Sequence, residues 1–213
     1  MKTRFLVAAA GIVCLAAPAS AQTPTQEGRT QFGVGVNLAP SLLTLAGSSQ
    51  GAYLPIGLWN LFFPIRFGRS FKLEPEVGIL SVSSEASVSG TTANSKGTSL
   101  RLGVGAFIVM PLGGGATQMY VGPRVLLLST STSVDYSSTG YSSSQSSSET
   151  DWVIGLALGG EHFFSPHFSL GAELQVNYVT FGTPSYTPSS GQQPSESRSL
   201  IGTNGLLLLR AYF

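Results

Sequence analysis

The sequence is short of charge. Lys, Arg, Asp and Glu together make up 10% of its 213 residues, against about a quarter in an ordinary soluble domain. Hydrophobic residues stand at 42%, so the gap is not filled by apolar side chains. It is filled by glycine, of which there are 26, and by serine and threonine. The formal net charge of +1 excludes the strongly basic surface that binding to nucleic acid requires. Cysteine is confined to Cys14, inside a segment that should be lost on export. Disulfide frameworks, thiol nucleophiles and cysteine-ligated metals are thereby excluded from the mature chain. Beyond residue 21 no stretch approaches the roughly 18 consecutive apolar residues of a transmembrane helix.

The N-terminus, residues 1–21, reads MKTRFLVAAAGIVCLAAPASA. Lys2 and Arg4 form a basic n-region, Phe5 to Ala17 an apolar h-region, and Ala19-Ser20-Ala21 a small-x-small cleavage site. This is the pattern of a secretory signal peptide. The apolar run is too short for a membrane anchor. Val13 precedes Cys14 where a lipoprotein signal needs a small residue, so lipidation is not expected. Removal of Lys2 and Arg4 leaves nine basic and ten acidic residues.

What recurs in the remainder is alternation with period two, the mark of half-buried strands. Phe32, Val34, Val36 and Leu38 alternate with Gly33, Gly35 and Asn37. Phe71, Leu73, Pro75, Val77 and Ile79 alternate with Lys72, Glu74, Glu76 and Gly78. The same holds from Leu100 to Met110 and from Phe168 to Tyr178. Eight strands are predicted, at residues 30–40, 52–67, 71–84, 99–111, 118–132, 150–164, 168–182 and 198–213. Short turns at 68–70, 112–117 and 165–167 alternate strictly with long connections near 41–51, 85–98, 133–149 and 183–197. A soluble sandwich has no reason to alternate in this way. A barrel spanning a membrane has one, with short turns on the periplasmic side and long loops outside. The expected fold is therefore all-β: an eight-stranded antiparallel up-and-down transmembrane β-barrel over residues 30–213, after a signal peptide (1–21) and a short tail (22–29). Ser and Thr supply 14 of the 20 residues from 129 to 148, which reads as a solvated loop tip.

Charge placement supports the barrel. Nine charged residues fall within strands: Arg66, Lys72, Glu74, Glu76, Arg101, Arg124, Glu161, Glu173 and Arg210. By parity all nine share a face with Gly, Asn, Gln and other small residues, opposite the aliphatic face. The others, Asp151 among them, lie in the tail, a turn, or at loops and their margins. An Arg or Lys at mid-depth on the lipid face would cost about 2–4 kcal/mol. Inside a barrel of eight strands the lumen is only wide enough for side chains to fill, and buried ions there must pair. The nine residues are therefore expected to form an ion-pair network, as a filler closing the lumen. The alternative is a selectivity filter in a narrow, porin-like channel for small solutes or apolar molecules. Trp59, Phe63, Phe67, Phe71, Trp152, Phe164, Phe168 and Tyr178 are candidates for interfacial aromatics on the lipid face.

The chain ends in an alternating strand, with Leu207, Leu209, Ala211 and Phe213 on the lipid-facing parity. This resembles the C-terminal signal read by the barrel-assembly machinery of outer membranes. With the signal peptide, the alternation and the loop asymmetry, the chain is similar to the small outer-membrane barrels, OmpA/OmpX-like and opacity-type. The charged lumen also resembles the closed interior of the OmpA-type barrel. The resemblance implies a monomer in the outer membrane of a Gram-negative bacterium, in contact with lipid and with the assembly machinery. It implies no cofactor, no metal and no nucleic acid, and a structural or surface-interaction role, with the loops facing any surface ligand.

Some barrels of this size modify lipids. His167 and Ser169, with Glu173 four residues on, loosely resemble the His/Ser pair of lipid A deacylase barrels, where the imidazole would activate the hydroxyl. His167 sits in a predicted periplasmic turn, far from an outer-leaflet substrate, and the flanking sequence does not otherwise match. The chain is expected not to be an enzyme, and outer-membrane lipid modification is the remote alternative.

Overall fold

The computed structural model describes residues 30–38, 60–88, 91–113, 115–187 and 198–213. The expected signal peptide, the tail, Trp59, the loop near 41–51 and the start of the second expected strand lie outside these residues, as does most of the connection near 183–197. Every regular element described is a strand: β1 (Thr30–Asn37), β2 (Asn60–Phe62), β3 (Ile65–Phe67), β4 (Phe71–Val88), β5 (Thr91–Leu112), β6 (Thr117–Ser138), β7 (Tyr141–Ser165), β8 (Phe168–Phe181), β9 (Ser185–Thr187) and β10 (Arg198–Tyr212).

The strands form one antiparallel ring. Neighbours in sequence pair with one another, and β10 closes the circle on β1 through Gly33–Tyr212, Gly35–Arg210 and Asn37–Leu208. The elements β2 and β3 are one stave interrupted at Pro64, which has no N–H to give a ladder. Its carbonyl still accepts from Gly33 N at 2.8 Å, and Phe63 N donates to Pro75 O at 2.9 Å. Among the described residues the short stub β9 pairs only with β7. Among the described residues the ring thus has eight staves, as the sequence predicts, and it closes where β10 meets β1.

Two expected loops are strands instead. Residues 85–88 and 91–98 continue β4 and β5 in unbroken register, Glu85 opposite Asn94 and Ser87 opposite Thr92. Residues 133–149 continue β6 and β7 down to Ser138–Tyr141, closing over Thr139 and Gly140, the latter at φ 81°. Serine-rich composition reads as loop, yet no Gly or Pro interrupts residues 124–139, and each strand gives the other its backbone partners. With 22 residues in β6 and 25 in β7, these strands far exceed the 9–11 residues that cross a bilayer. Their outer halves form, with β4, β5 and β9, an arm of sheet beyond the wall.

Parity sorts the wall into two surfaces. Ile79, Ile108, Ile154, Leu156, Leu174 and Val176 are exposed outward, as a lipid-facing belt must be. Phe63, Phe67, Phe71, Phe164 and Phe168 are exposed toward the short-turn end, and Trp152 and Tyr178 toward the other, the two levels where interfacial aromatics gather. The core is the lumen. It is not lined by small residues alone, as expected. Phe62, Phe107, Tyr120, Phe163 and Tyr212 are all buried within it. Near the long-loop end Leu126, Val153 and Val179 pack together, with Phe181 and Leu200 against them, and form an apolar plug.

Candidate functional site

The lumen holds a ladder of ions built on parity. On β4, Lys72, Glu74 and Glu76 point inward at every second position, and all three are buried. Opposite partners arrive from β5 (Arg101), β6 (Arg124), β7 (Glu161), β8 (Glu173) and β10 (Arg210), and Arg66 comes from β3. All nine sequence-predicted residues are buried.

Glycine makes the bridges possible. Glu74, Gly105 and Arg124 share one cross-strand row, so the missing side chain at Gly105 leaves the two ions free to meet over it. A Cβ at Gly105 would strike the Phe107 ring at 2.5 Å and lie 3.2 Å from Arg124 Cγ. Tyr120, Gly159 and Glu173 form a parallel row, and a Cβ at Gly159 would strike the Tyr120 ring.

Arg124 is the centre. Its Nε and Nη2 donate to the two carboxylate oxygens of Glu173 at 2.8 and 2.9 Å, a bidentate fork. Its Nη1 reaches Glu76 at 2.9 Å, and its Nη2 also reaches Glu74. Arg101 Nε caps Glu76 from the long-loop side. Glu74 accepts from Arg210 Nη2 at 3.0 Å through one oxygen, has its other oxygen 2.7 Å from the same nitrogen, and lies 3.5 Å from Lys72 Nζ. Glu161 faces Arg210 at 3.7 Å and Lys72 at 3.9 Å, and accepts from Ser169 and, at 2.7 Å, from the Tyr212 hydroxyl. The arginines and the lysine also lie over aromatic rings. Lys72 Nζ is 3.5 Å from the Tyr120 centroid, and the Arg124 guanidinium 4.9 Å from that of Phe107. This explains how buried rings and buried ions share one lumen: the rings supply attractive faces where carboxylates are absent.

Arg66 departs from the expectation. Among the described residues it meets no carboxylate. It donates to Gln118 Oε1 at 2.7 Å and lies over Phe163 and Tyr212 at 5.1 and 5.8 Å. Gln118 in turn donates to Glu161 at 3.2 Å, so Arg66 is tied to the ladder through an amide. Asp151, expected at a loop margin, is buried at the rim of the lumen and accepts from Gly182 N at 3.0 Å. Sequence reasoning missed Gln118, Ser169, Tyr120, Tyr212 and Gln175. All share the inward parity of a charged residue on their own strand, and that parity was the available signal.

The resemblance to a deacylase pair does not survive the geometry. Ser169 is buried, its hydroxyl committed to Glu161. His167 is exposed in the turn, with Nδ1 2.9 Å from the carbonyl of Tyr212. Base and nucleophile are each engaged elsewhere. Among the described residues no group of His, Cys, Asp or Glu is placed to hold a metal.

Leu207, Leu209 and Ala211 face outward on β10, and Phe213 is exposed beside them. Phe213 N donates to Phe32 O at 2.8 Å, so the terminal residue is fastened to the first strand at the ring's seam.

No curated protein matches the chain. Among solved structures, the attachment invasion locus protein Ail of Yersinia pestis is 15% identical, covering 88% of this chain and 99% of its own, with a TM-score of 0.34. CarO of Acinetobacter baumannii is 10% identical over 90% of this chain and 100% of its own, at a TM-score of 0.40. A major outer membrane protein from Thermus thermophilus is 14% identical over 88% of this chain and 100% of its own, at 0.45. The family model of the outer membrane protein beta-barrel domain matches residues 5–193, and the chain belongs to that family.

Proposed function

We propose that this protein is a closed structural barrel of the outer membrane that displays a sheet-built arm on the cell surface. In this reading residues 1–21 are cleaved on export and the C-terminal strand, through Leu207, Leu209, Ala211 and Phe213, is read by the assembly machinery. The short turns then face the periplasm. The family places the chain in the outer membrane. The single observation that carries the closed reading is the packed lumen. Arg124, Glu74, Lys72, Tyr120 and Phe107 are all buried at one level, and the apolar plug of Leu126, Val153 and Val179 lies above them. A conducting path would have to break several buried ion pairs, and breaking even one by removing a partner costs about 3–5 kcal/mol.

Planar-bilayer recording with the purified, refolded protein tests this. The expected result is no stable conductance above baseline. Reproducible unitary currents would instead support the narrow channel. A lipid A mass spectrum that changes on expression of the wild type, and not of Ser169→Ala, would return the enzyme reading.

A further inference from the structure

The arm is two-faced, and the parity that sorts the wall continues into it. On the side continuous with the lipid face, the cross-strand rows are Ser87–Thr92–Ser137–Ser142, Glu85–Asn94–Asp135–Ser144 and Ser83–Lys96–Ser133–Ser146. That side is wholly polar and carries both signs of charge. The side continuous with the lumen is different. Tyr136 rises beside Ala93 and Ser143, Tyr141 stands opposite Ser138, and Tyr186 pairs with Ser147. The three tyrosines are 45%, 65% and 44% exposed. Around them lie Thr132, Val134, Ser143 and Gln145, with Gly97 and Val82 farther across the sheet on β5 and β4. Among the described residues the one acid on this side is Glu149 at its base, and it is paired with Arg198 at 3.2 Å.

The chemistry of the tyrosine side selects its partner. A face without free charge has nothing to offer a sulfated, phosphorylated or basic ligand. Among the described residues the tyrosines stand apart on a carpet of small side chains, a poor seat for the desolvated anchor that dominates a protein interface. What the face does present is flat rings with polar tips, spaced among hydroxyls that both donate and accept. A pyranose has the matching surface: a C–H face to lie on a ring and a rim of hydroxyls. Position narrows the source. Tyr136 is eight residues beyond Leu128, where β6 leaves the lumen, or about 26 Å at a strand's rise. That is too far from the wall for lipid headgroups and suits a polymer reaching the cell from outside.

We infer that the tyrosine side of the arm, through Tyr136, Tyr141 and Tyr186, binds an uncharged pyranose polysaccharide. This rests on the proposed outward orientation of the long-loop end. The test is native affinity electrophoresis of the full chain in detergent through gels holding dextran, mannan or galactan, with dextran sulfate in parallel. At least one neutral polymer should retard the protein, with little change between about 0.05 and about 0.5 M salt, because no charge is involved. Replacing the three tyrosines together by alanine should weaken retardation roughly tenfold or more, the effect of losing a few ring contacts. The opposite-face variant Glu85→Gln/Lys96→Gln/Asp135→Asn should behave as wild type. Heat-modifiable mobility on gels establishes that both variants fold. Retardation by none of the three polymers, by dextran sulfate alone, or equally in the triple-alanine variant would overturn the inference. A channel found in bilayers would instead sink the closed-lumen reading and leave this one standing.

Discussion

Replacing Glu74 by glutamine should be among the most damaging isosteric changes available to this protein. Three cations converge on that carboxylate: Arg210 at 2.7 Å, Lys72 at 3.5 Å and Arg124. All four side chains are fully buried. At the effective dielectric near 20 that suits protein sites, one unit pair at such distances is worth about 5 kcal/mol in gross attraction. Much of that is offset by desolvation already incurred on folding, and the net loss on breaking a buried pair is about 3–5 kcal/mol. Set against the usual 5–15 kcal/mol of total stability, this is a large fraction. Urea titration in detergent micelles, read by the heat-modifiable gel shift, measures it. The surface pair Arg198–Glu149, with the arginine half-exposed, is the internal control, and Arg198→Gln should move the midpoint by about 1 kcal/mol or less. The second arm is the double variant Glu74→Gln/Arg210→Gln. Each single change strands a charge that the double change removes, so the double should be less destabilised than the sum of the two. If Glu74→Gln lies within about 1 kcal/mol of wild type, or the double equals the sum, the lumen is wetter and looser than the distances imply, and the ladder does not hold the barrel.

Three further outcomes follow from the geometry. Gly159→Val should lower stability by about 1–3 kcal/mol, since the added carbons meet the Tyr120 ring, and an unshifted urea midpoint would refute the contact. Leu156→Arg, on the outer face mid-wall, should cost about 2–4 kcal/mol on refolding into vesicles, whereas Ser131→Arg, on the arm, should be near neutral; equal effects would contradict the placement of the lipid belt. Burial first, and then the neighbouring Asp151 carboxylate, raise the pKa of Glu149 on the arm above its ordinary value, against the pull of Arg198. A raised acid is disfavoured in its ionised form, so stability is lost as pH rises through the folded value. Glu149→Gln should therefore be no less stable than wild type at neutral pH, and the two should converge in acid; a variant destabilised only at neutral pH would reverse this assignment.

The wall was legible because one period governs it. From Phe71 to Ile79 each residue's side of the sheet follows from its neighbour's, and the charge of Lys72, Glu74 and Glu76 identifies the dry side. Who meets whom was not legible. Arg124 touches three acids on two other strands because of the ring's curvature, which no single strand encodes. Phe107 and Tyr120 were hidden because the charged face was expected to hold small residues, although their parity with Arg101 and Arg124 puts them on it. The arm was hidden because serine stabilises turns through its own side chain. Pairing between two such segments, Ser131 with Ser148 and Ser133 with Ser146, overrides the local preference.

The unbroken register of β6, from Gln118 at the short-turn end to Ser138 at the tip, makes lumen and arm a single reading frame. One residue inserted or deleted near Leu128 would rotate everything beyond it by half a period. Tyr136 would turn to the charged side and Asp135 to the tyrosine side, while the wall below stayed intact. Length variation should therefore be confined to the Thr139–Gly140 tip, or occur in pairs matched on β7. Lineages of this protein would then differ in how tall the arm is far more readily than in which face it turns to the outside.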